Sequence, residues 1–393
     1  MIKGDMFRPL ILNGKSSSTG YCMGISVVSE YTENRSNKIQ VLFTDGKNNF
    51  SEGYIGYLFE DDSLPENIQN YLFKSGVPFL KGVNHIRTLI DHDIVEVIPS
   101  NNIAKVLFRV NSGDNALVVT NNCNCNCIMC PEPLSVRQND TIPIERIVNM
   151  INLIDSSPNY LCITGGEPTI LKEKLFVILD ACKGKLINTN FMLLTNARMF
   201  AYMNYAYEFN LHKPQHMVLG VPIYGNSPEI HDTITNTIGS FQQTVNGVKN
   251  LLELDNNIEL RIVVNKLNYK NLIELSNFII SNFPKVLRVN IMALEMLGNA
   301  IINKESVWIG FDEIKVIIKE TAVNLIRNGI ETYLFNFPLC FVDESLWSIA
   351  LKSISDYKVR YYDECEICKA KEKCGGFFSS TINLKELKIK PIL

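Results

Sequence analysis

A chain of 393 residues is long enough for two or three domains at roughly 150 residues each. Its 41 acidic and 38 basic residues leave a formal charge of −3, which argues against a surface built to coat nucleic acid. Hydrophobic residues at 46% and charged residues at 20% describe a globular chain with a sizeable core and exclude a disordered one.

The chain opens MIKGDMFRPLILNGKSSS, with one early Lys, a short apolar tract and no small-residue cleavage site, so no signal peptide is read. The longest apolar runs, such as Met217 to Tyr224, are strand-length and far short of the ~18 to 20 residues of a spanning helix. No membrane association and a cytoplasmic location are expected. Residues 1–110 read as a β-rich accessory domain. Ile25 to Val28, Ile39 to Phe43, Ile94 to Ile98 and Val106 to Val110 are strand runs between Asn, Gly, Asp and Ser clusters, with a helix over Glu66 to Lys74. This region holds no catalytic cluster. It reads either as a structural cap or as a reader that takes up a peptide as an added strand.

Over residues 111–300 the pattern changes to alternating strands and helices. Ala116 to Val119, Tyr160 to Ile163, Phe191 to Leu194, Met217 to Ile223, Ile258 to Val264 and Leu287 to Leu294 are rich in Val, Ile and Leu, as strands buried on both faces should be. Apolar stripes mark helices between them: Ile144 to Ile154 after Pro143, Leu175 to Cys182, Val245 to Leu252 and Leu272 to Ile279. Repeated strand–helix units imply right-handed crossovers and a parallel sheet. Six strands are too few for a closed eight-stranded barrel, so the predicted fold is α/β, an open partial (β/α)6 TIM-like barrel. Over residues 301–393 the repeat is expected to stop, with one helix from Glu313 to Arg327 and then a loop-rich extension.

Eleven cysteines in a chain without a secretory signal point to metal binding or redox chemistry more than to disulfides. Cys22, Cys162 and Cys182 stand alone and read as small buried apolar residues. The rest cluster. Cys123, Cys127 and Cys130 make a C-x3-C-x2-C loop directly after the first strand of the repeat. Three thiolates on one tight loop can hold three irons of a 4Fe–4S cube and leave the fourth open for a reactant. A zinc knuckle drawn from these residues and Cys125 is the alternative, but zinc sites usually take ligands from two separated segments. Cys125 breaks the spacing and reads as a non-ligand. The second strand runs into Gly165-Gly166-Glu167-Pro168, where glycines permit close backbone approach and a carboxylate suits a cationic amine.

This spacing, on this loop and followed by GGEP, resembles the radical S-adenosylmethionine (SAM) superfamily. The resemblance implies that the open iron chelates SAM, that GGEP contacts its amino group, and that reductive cleavage yields a 5′-deoxyadenosyl radical. Thr195, Asn196 and Asn265 end the third and fifth strands, where ligands of parallel sheets sit, and Met292 on the sixth could flank adenine or pack in the core. Tyr224 to Asp232, followed by Gly239-Ser-Phe, resembles the loop after the fourth strand in peptide-modifying members. His231 there reads as a general acid or, more simply, as a packing histidine.

The C-terminal region carries Cys365, Cys368 and Cys374 as C-x2-C-x5-C, with Cys340 upstream in Pro338-Leu-Cys. Four thiolates from two segments suit a closed site, zinc or a second 4Fe–4S cluster. The tail resembles the auxiliary-cluster extensions of radical SAM peptide maturases in their one-cluster form. Ile163 to Thr169, Leu194-Thr-Asn, Ala293-Leu-Glu-Met, Pro338-Leu-Cys, Leu346-Trp, Ser353 to Asp356 and Cys374-Gly-Gly-Phe-Phe-Ser-Ser together resemble the His-Xaa-Ser system maturases of the HxsC type, from about residue 90 onward. That resemblance implies a small ribosomally made precursor peptide with His-Xaa-Ser repeats as substrate, a partner maturase, and reduced flavodoxin or ferredoxin as electron donor. Radical chemistry on a protein such as a sulfatase, or on a small metabolite, is the alternative enzyme reading. A zinc-bound interaction protein is the non-enzymatic one.

Overall fold

The computed structural model describes residues 10–28, 40–44, 50–84, 88–132, 142–154, 157–355, 358–382 and 387–393. Residues 1–9 of the opening segment used to judge a signal peptide, the expected strand start at Ile39 and the motif residue Asp356 lie outside these. The chain divides into two compact units. One comprises Met1–Leu117, Pro143–Leu161 and Asp180–Asn190, and the other Val118–Ile142, Cys162–Leu179 and Phe191–Leu393. Among the described residues no helix is long and apolar enough to cross a membrane.

The first unit holds a seven-stranded mixed sheet. Its strands are β1 (Leu10–Asn13), β2 (Cys22–Val27), β3 (Gln40–Thr44), β4 (Gly56–Phe59), β5 (Phe79–Leu80), β6 (Ile94–Ile98) and β7 (Ile103–Phe108), in the order β1-β7-β6-β2-β3-β4-β5. The pairs from β1 to β2 along that order are antiparallel and those from β2 to β5 parallel. Helix α1 (Glu66–Ser75) ends at Gly76, whose φ of 66° accepts the left-handed turn that closes it. Helix α2 (Ile144–Leu153) follows Pro143 and buries Ile147, Met150 and Ile151. Its Arg146 grips the buried Glu96 of β6 with two bonds of 2.5 and 2.7 Å, and Tyr21 donates a third of 2.8 Å. A buried carboxylate held this way is an anchor because both of its oxygens are satisfied.

The second sheet has eight strands in sequence order: β8 (Ala116–Thr120), β9 (Tyr160–Gly165), β10 (Asn190–Leu194), β11 (Met217–Pro222), β12 (Asn257–Val264), β13 (Arg288–Ala293), β14 (Thr332–Phe335) and β15 (Ala350–Leu351). Every adjacent pair from β10 to β15 is parallel. This is the expected α/β class, with β8 and β15 at the open edges. The repeat does not stop near residue 301, however. Helix α10 (Phe311–Arg327) leads into β14, and a short β15 follows. The sequence hides these strands because they are only four and two residues long and lack a Val/Ile run. The other helices are α3 (Glu173–Lys185), α4 (Met203–His212), α5 (Pro228–Thr235), α6 (Ser240–Glu253), α7 (Leu272–Asn282), α8 (Asn299–Ile302) and α9 (Lys304–Val307). One face of the sheet is mostly apolar, with Leu193, Leu219, Leu260, Ile262, Ile291 and Leu334 fully buried. The other face carries Glu259, which binds Arg288 at 2.7 Å and Arg261 at 3.3 Å. Beyond β15, β16 (Val359–Arg360) and β17 (Phe377–Phe378) form a small antiparallel pair.

The stretch after β11 that reads as a loop contains α5. Pro228 opens it, where a missing N–H costs nothing. Asp232 of α5 caps α6. Its carboxylate accepts from Gly239 N at 2.6 Å, Phe241 N at 2.6 Å and Ser240 Oγ at 2.8 Å. The Asp-then-Gly-Ser-Phe pattern is therefore a helix-capping device. Partial burial raises the Asp232 carboxyl, but the donors outweigh it and hold the group below its ordinary value. Replacing Asp232 with Ala should cost about 1 to 2 kcal/mol in a urea titration at neutral pH. Because the folded value is depressed, that stabilisation is present above about pH 4 and lost as the pH falls through the folded value. The variant and the parent should therefore converge in stability in acid.

Candidate functional site

The loops at the carboxyl ends of β8, β9, β10 and β12 carry the predicted residues to one edge of the parallel sheet. The cysteine loop leaves β8 through Thr120 to Asn122, and the glycines of β9 meet it there. Gly166 N donates to Thr120 O at 2.8 Å, and Glu167 N to Asn122 O at 2.8 Å. A Cβ on Gly165 would run into the Thr120 carbonyl, and one on Gly166 into that of Asn122. The close approach that these glycines permit is thus to the backbone leading into Cys123.

Glu167 is 1% exposed and turned inward. Its Oε1 accepts from Thr169 N at 3.1 Å, Thr169 Oγ1 at 2.6 Å and Thr195 Oγ1 at 2.6 Å, and its Oε2 from Asn196 N at 2.6 Å. Three of these donors converge on Oε1 and Oε2 accepts only one, so the carboxylate ties two strand ends together. Burial pushes the carboxyl above its ordinary value, and the hydrogen bonds offset only part of that push. Thr195 and Asn196 are occupied in the same way. The Thr195 hydroxyl donates to Glu167, and Asn196 Nδ2 donates to Asn124 Oδ1 at 2.6 Å and to Cys125 Sγ at 3.5 Å. Asn265, fully buried, donates to Val263 O and Met129 Sδ and accepts from Leu267 N, which builds its own turn. Met292 is half-buried on β13, in register with Val263 of β12 and Phe335 of β14.

Within the loop, Cys123, Cys127 and Cys130 are partly exposed and Cys125 is buried. Cys125 is held from the side by Asn196 and by Arg198, whose guanidinium also bonds Asn124 O. Asn124, Thr169 and Arg198 escaped the sequence reading. An Arg two residues beyond the Thr-Asn pair was the only available signal. Burial, then the sulfurs of Cys125, Cys130 and Cys123, push the Cys127 thiol well above its ordinary range. Thiols that repel one another on one loop are a donor set that a soft cation relieves, so the loop fits an iron–sulfur group. His231 of α5 is buried, and its Nδ1 accepts from Tyr224 N at 3.2 Å. Burial pulls it down to about 4, so it is neutral at physiological pH and suits packing better than proton donation.

The second cysteine set lines one cavity. Cys340, Cys365, Cys368 and Cys374 line it with Leu339, Phe377 and Ile392. Three backbone N–H groups donate to these sulfurs: Leu339 and Gly376 to Cys374 at 3.3 and 3.4 Å, and Ile392 to Cys368 at 3.4 Å. Burial, and then Cys374, Cys365 and Cys368, push the Cys340 thiol up to about 12. Four soft sulfurs, an apolar wall and N–H donors aimed at sulfur fit a thiolate-bound cluster. Among the described residues, no three His, Cys, Asp or Glu side chains converge as a group that could hold a metal ion.

Glu167→Ala should lower stability by at least about 3 kcal/mol, because it leaves buried donors unpaired, and should weaken retention of iron by the cysteine loop. Chemical denaturation and iron content check this. A variant that keeps its stability and iron but binds S-adenosylmethionine less tightly would show that the carboxylate serves the cofactor and not the loop.

Residues 117–279 match the family model described as the Radical SAM superfamily. No curated protein matches the chain. Among solved structures the chain is similar to Streptococcus suis SuiB bound to precursor peptide SuiA, with 15% identity over 56% of this chain and 48% of that one, at a TM-score of 0.45. It is also similar to anSMEcpe with bound AdoMet and Kp18Cys peptide, with 14% identity over 55% and 62% of the two chains, at a TM-score of 0.46. The chain thus spans about half the length of SuiB. Residues 117–279 are thus similar to the Radical SAM superfamily, a family that uses S-adenosylmethionine and a 4Fe–4S cluster.

Proposed function

We propose that this chain is a radical SAM maturase that modifies a ribosomally made peptide with His-Xaa-Ser repeats, working with a partner maturase and reduced flavodoxin or ferredoxin. The observation that carries the reading is the presence of two separate thiol sets in one chain. One is a three-cysteine loop inside the Radical SAM domain, and the other is a cavity lined by four cysteines beyond it. The peptide substrate is supported by the Pro338-Leu-Cys340 and Cys374-Gly-Gly-Phe-Phe motifs and their resemblance to the His-Xaa-Ser system maturases.

In this reading Cys123, Cys127 and Cys130 hold the SAM-binding cluster. When bound, that cluster supplies the electron that cleaves S-adenosylmethionine reductively to a 5′-deoxyadenosyl radical. Gly165, Gly166, Glu167, Thr195, Asn196, Asn265 and Met292 wall the cofactor, and Glu167 also holds Thr195 and Asn196 in place. Cys340, Cys365, Cys368 and Cys374 hold an auxiliary 4Fe–4S cluster, with Leu339, Phe377 and Ile392 keeping water from the sulfurs. Functionally we divide the chain into an accessory domain over residues 1–110, the radical core over 111–300 and the auxiliary extension over 301–393.

Anaerobic reconstitution should give a brown protein absorbing near 400 nm with roughly eight irons per chain, as two 4Fe–4S clusters require. Replacing Cys123, Cys127 and Cys130 together with Ala should halve the iron and abolish 5′-deoxyadenosine formation. Cys125→Ala should do neither. Cys340→Ala should stop peptide modification while uncoupled formation of 5′-deoxyadenosine continues. A colourless zinc protein after reconstitution would overturn the reading.

A further inference from the structure

We infer that Asn299 and Asn303, on the turn that follows β13, are positioning residues that hold the cysteine loop in its cluster-binding shape; the inference rests on the cluster reading above. Three donors from this turn reach three carbonyls of the loop. Asn299 N donates to Cys130 O at 2.8 Å, Asn299 Nδ2 to Cys127 O at 2.9 Å, and Asn303 Nδ2 to Ile128 O at 2.8 Å. Asn299 opens α8 and Asn303 caps its end, with Asn303 N donating to Asn299 O at 2.9 Å, so the two residues lie one helical turn apart on one face. Gly298 makes the approach possible. Its φ is 58°, and a Cβ there would collide with the carbonyls of Cys130 and Pro131.

The opposite side of the loop is held as well. Asn126 N donates to Thr235 O at 3.1 Å and Ile128 N to Ile234 O at 3.0 Å, both at the end of α5. The peptide groups from Asn126 to Cys130 are therefore gripped from two elements far apart in sequence. A segment reading Asn-Cys-Asn-Cys-Ile-Met-Cys has no strong conformational preference of its own. Fixing the carbonyls of Cys127 and Cys130 fixes the direction in which their Cα–Cβ bonds leave the backbone. The sulfurs are thereby set before any iron arrives, which is what preorganisation of a ligand set requires.

Asn299→Ala removes the side-chain donor. Asn299→Asp keeps the shape and removes the NH2 group, so it separates hydrogen bonding from space filling. Asn303→Ala and Asn303→Asp test the second donor independently, should an Asn299 variant fail to fold. Two readouts apply. In iron-free protein, amide hydrogen exchange at Asn126 to Cys130 should quicken about five- to tenfold in each variant. In reconstituted protein, iron should be lost to a chelator faster by a similar factor, with Asp as damaging as Ala. Parental exchange and parental iron loss in the variants would overturn the inference, as would Asp variants that behave like the parent while Ala variants do not. A parent protein that takes up no iron would instead overturn the cluster reading, and the exchange measurement would still decide whether the turn grips the loop.

Discussion

A carboxylate sealed from water must find its donors in the protein, and Glu167 finds them on two neighbouring strand ends at once. Thr169 lies just beyond it, and Thr195 and Asn196 end the next strand. Locking those ends together places Asn196 where its side chain reaches Asn124 and Cys125 of the cysteine loop. The backbone on the other side of Glu167 pairs with Thr120 and Asn122, which lead into the same loop. The start of the loop thus inherits its path from a single buried carboxylate. Charge-assisted bonds to a fully buried acceptor are costly to break, which suits a part that must not move.

The two thiol sets answer the same electrostatic problem in different ways. In the first, the sulfurs sit on one short loop whose shape is imposed from outside by α5, by the turn after β13 and by Arg198. In the second, the sulfurs come from separate turns, and backbone N–H groups point directly at them. Hydrogen bonds to ligand sulfurs stabilise negative charge there, which raises a cluster's reduction potential relative to one without them.

Much of this was legible in the sequence because it depends on short-range pattern. The cysteine spacings, the GGEP turn, six strands of the parallel sheet and four of the helices between them are all local signals, whereas α4 and α5 were not expected. What escaped has a common physical origin. The inward turn of Glu167 is decided by Thr195, whose hydroxyl reaches it from the next strand, and nothing periodic marks that pairing. Helix α5 was read as loop because its eight residues are mostly polar and its apolar members serve the cysteine loop. Strands β14 and β15 are too short to carry a period, and they form because the neighbouring strand offers an unpaired edge. Asn299 and Asn303 look like ordinary polar residues on a turn until their tertiary partners are seen.

The cavity lined by Cys340, Cys365, Cys368 and Cys374 also includes Ile392, whose N–H reaches Cys368. Its wall is therefore assembled from segments spread over a long stretch of chain, whereas the first cysteines need only a few residues to be neighbours. Closing a long loop is entropically slower than closing a short one. During synthesis the segment bearing Ile392 also emerges after all of the cysteines. The second cavity should thus be the last part of this fold to close, with its thiols open to solvent until Ile392 covers them.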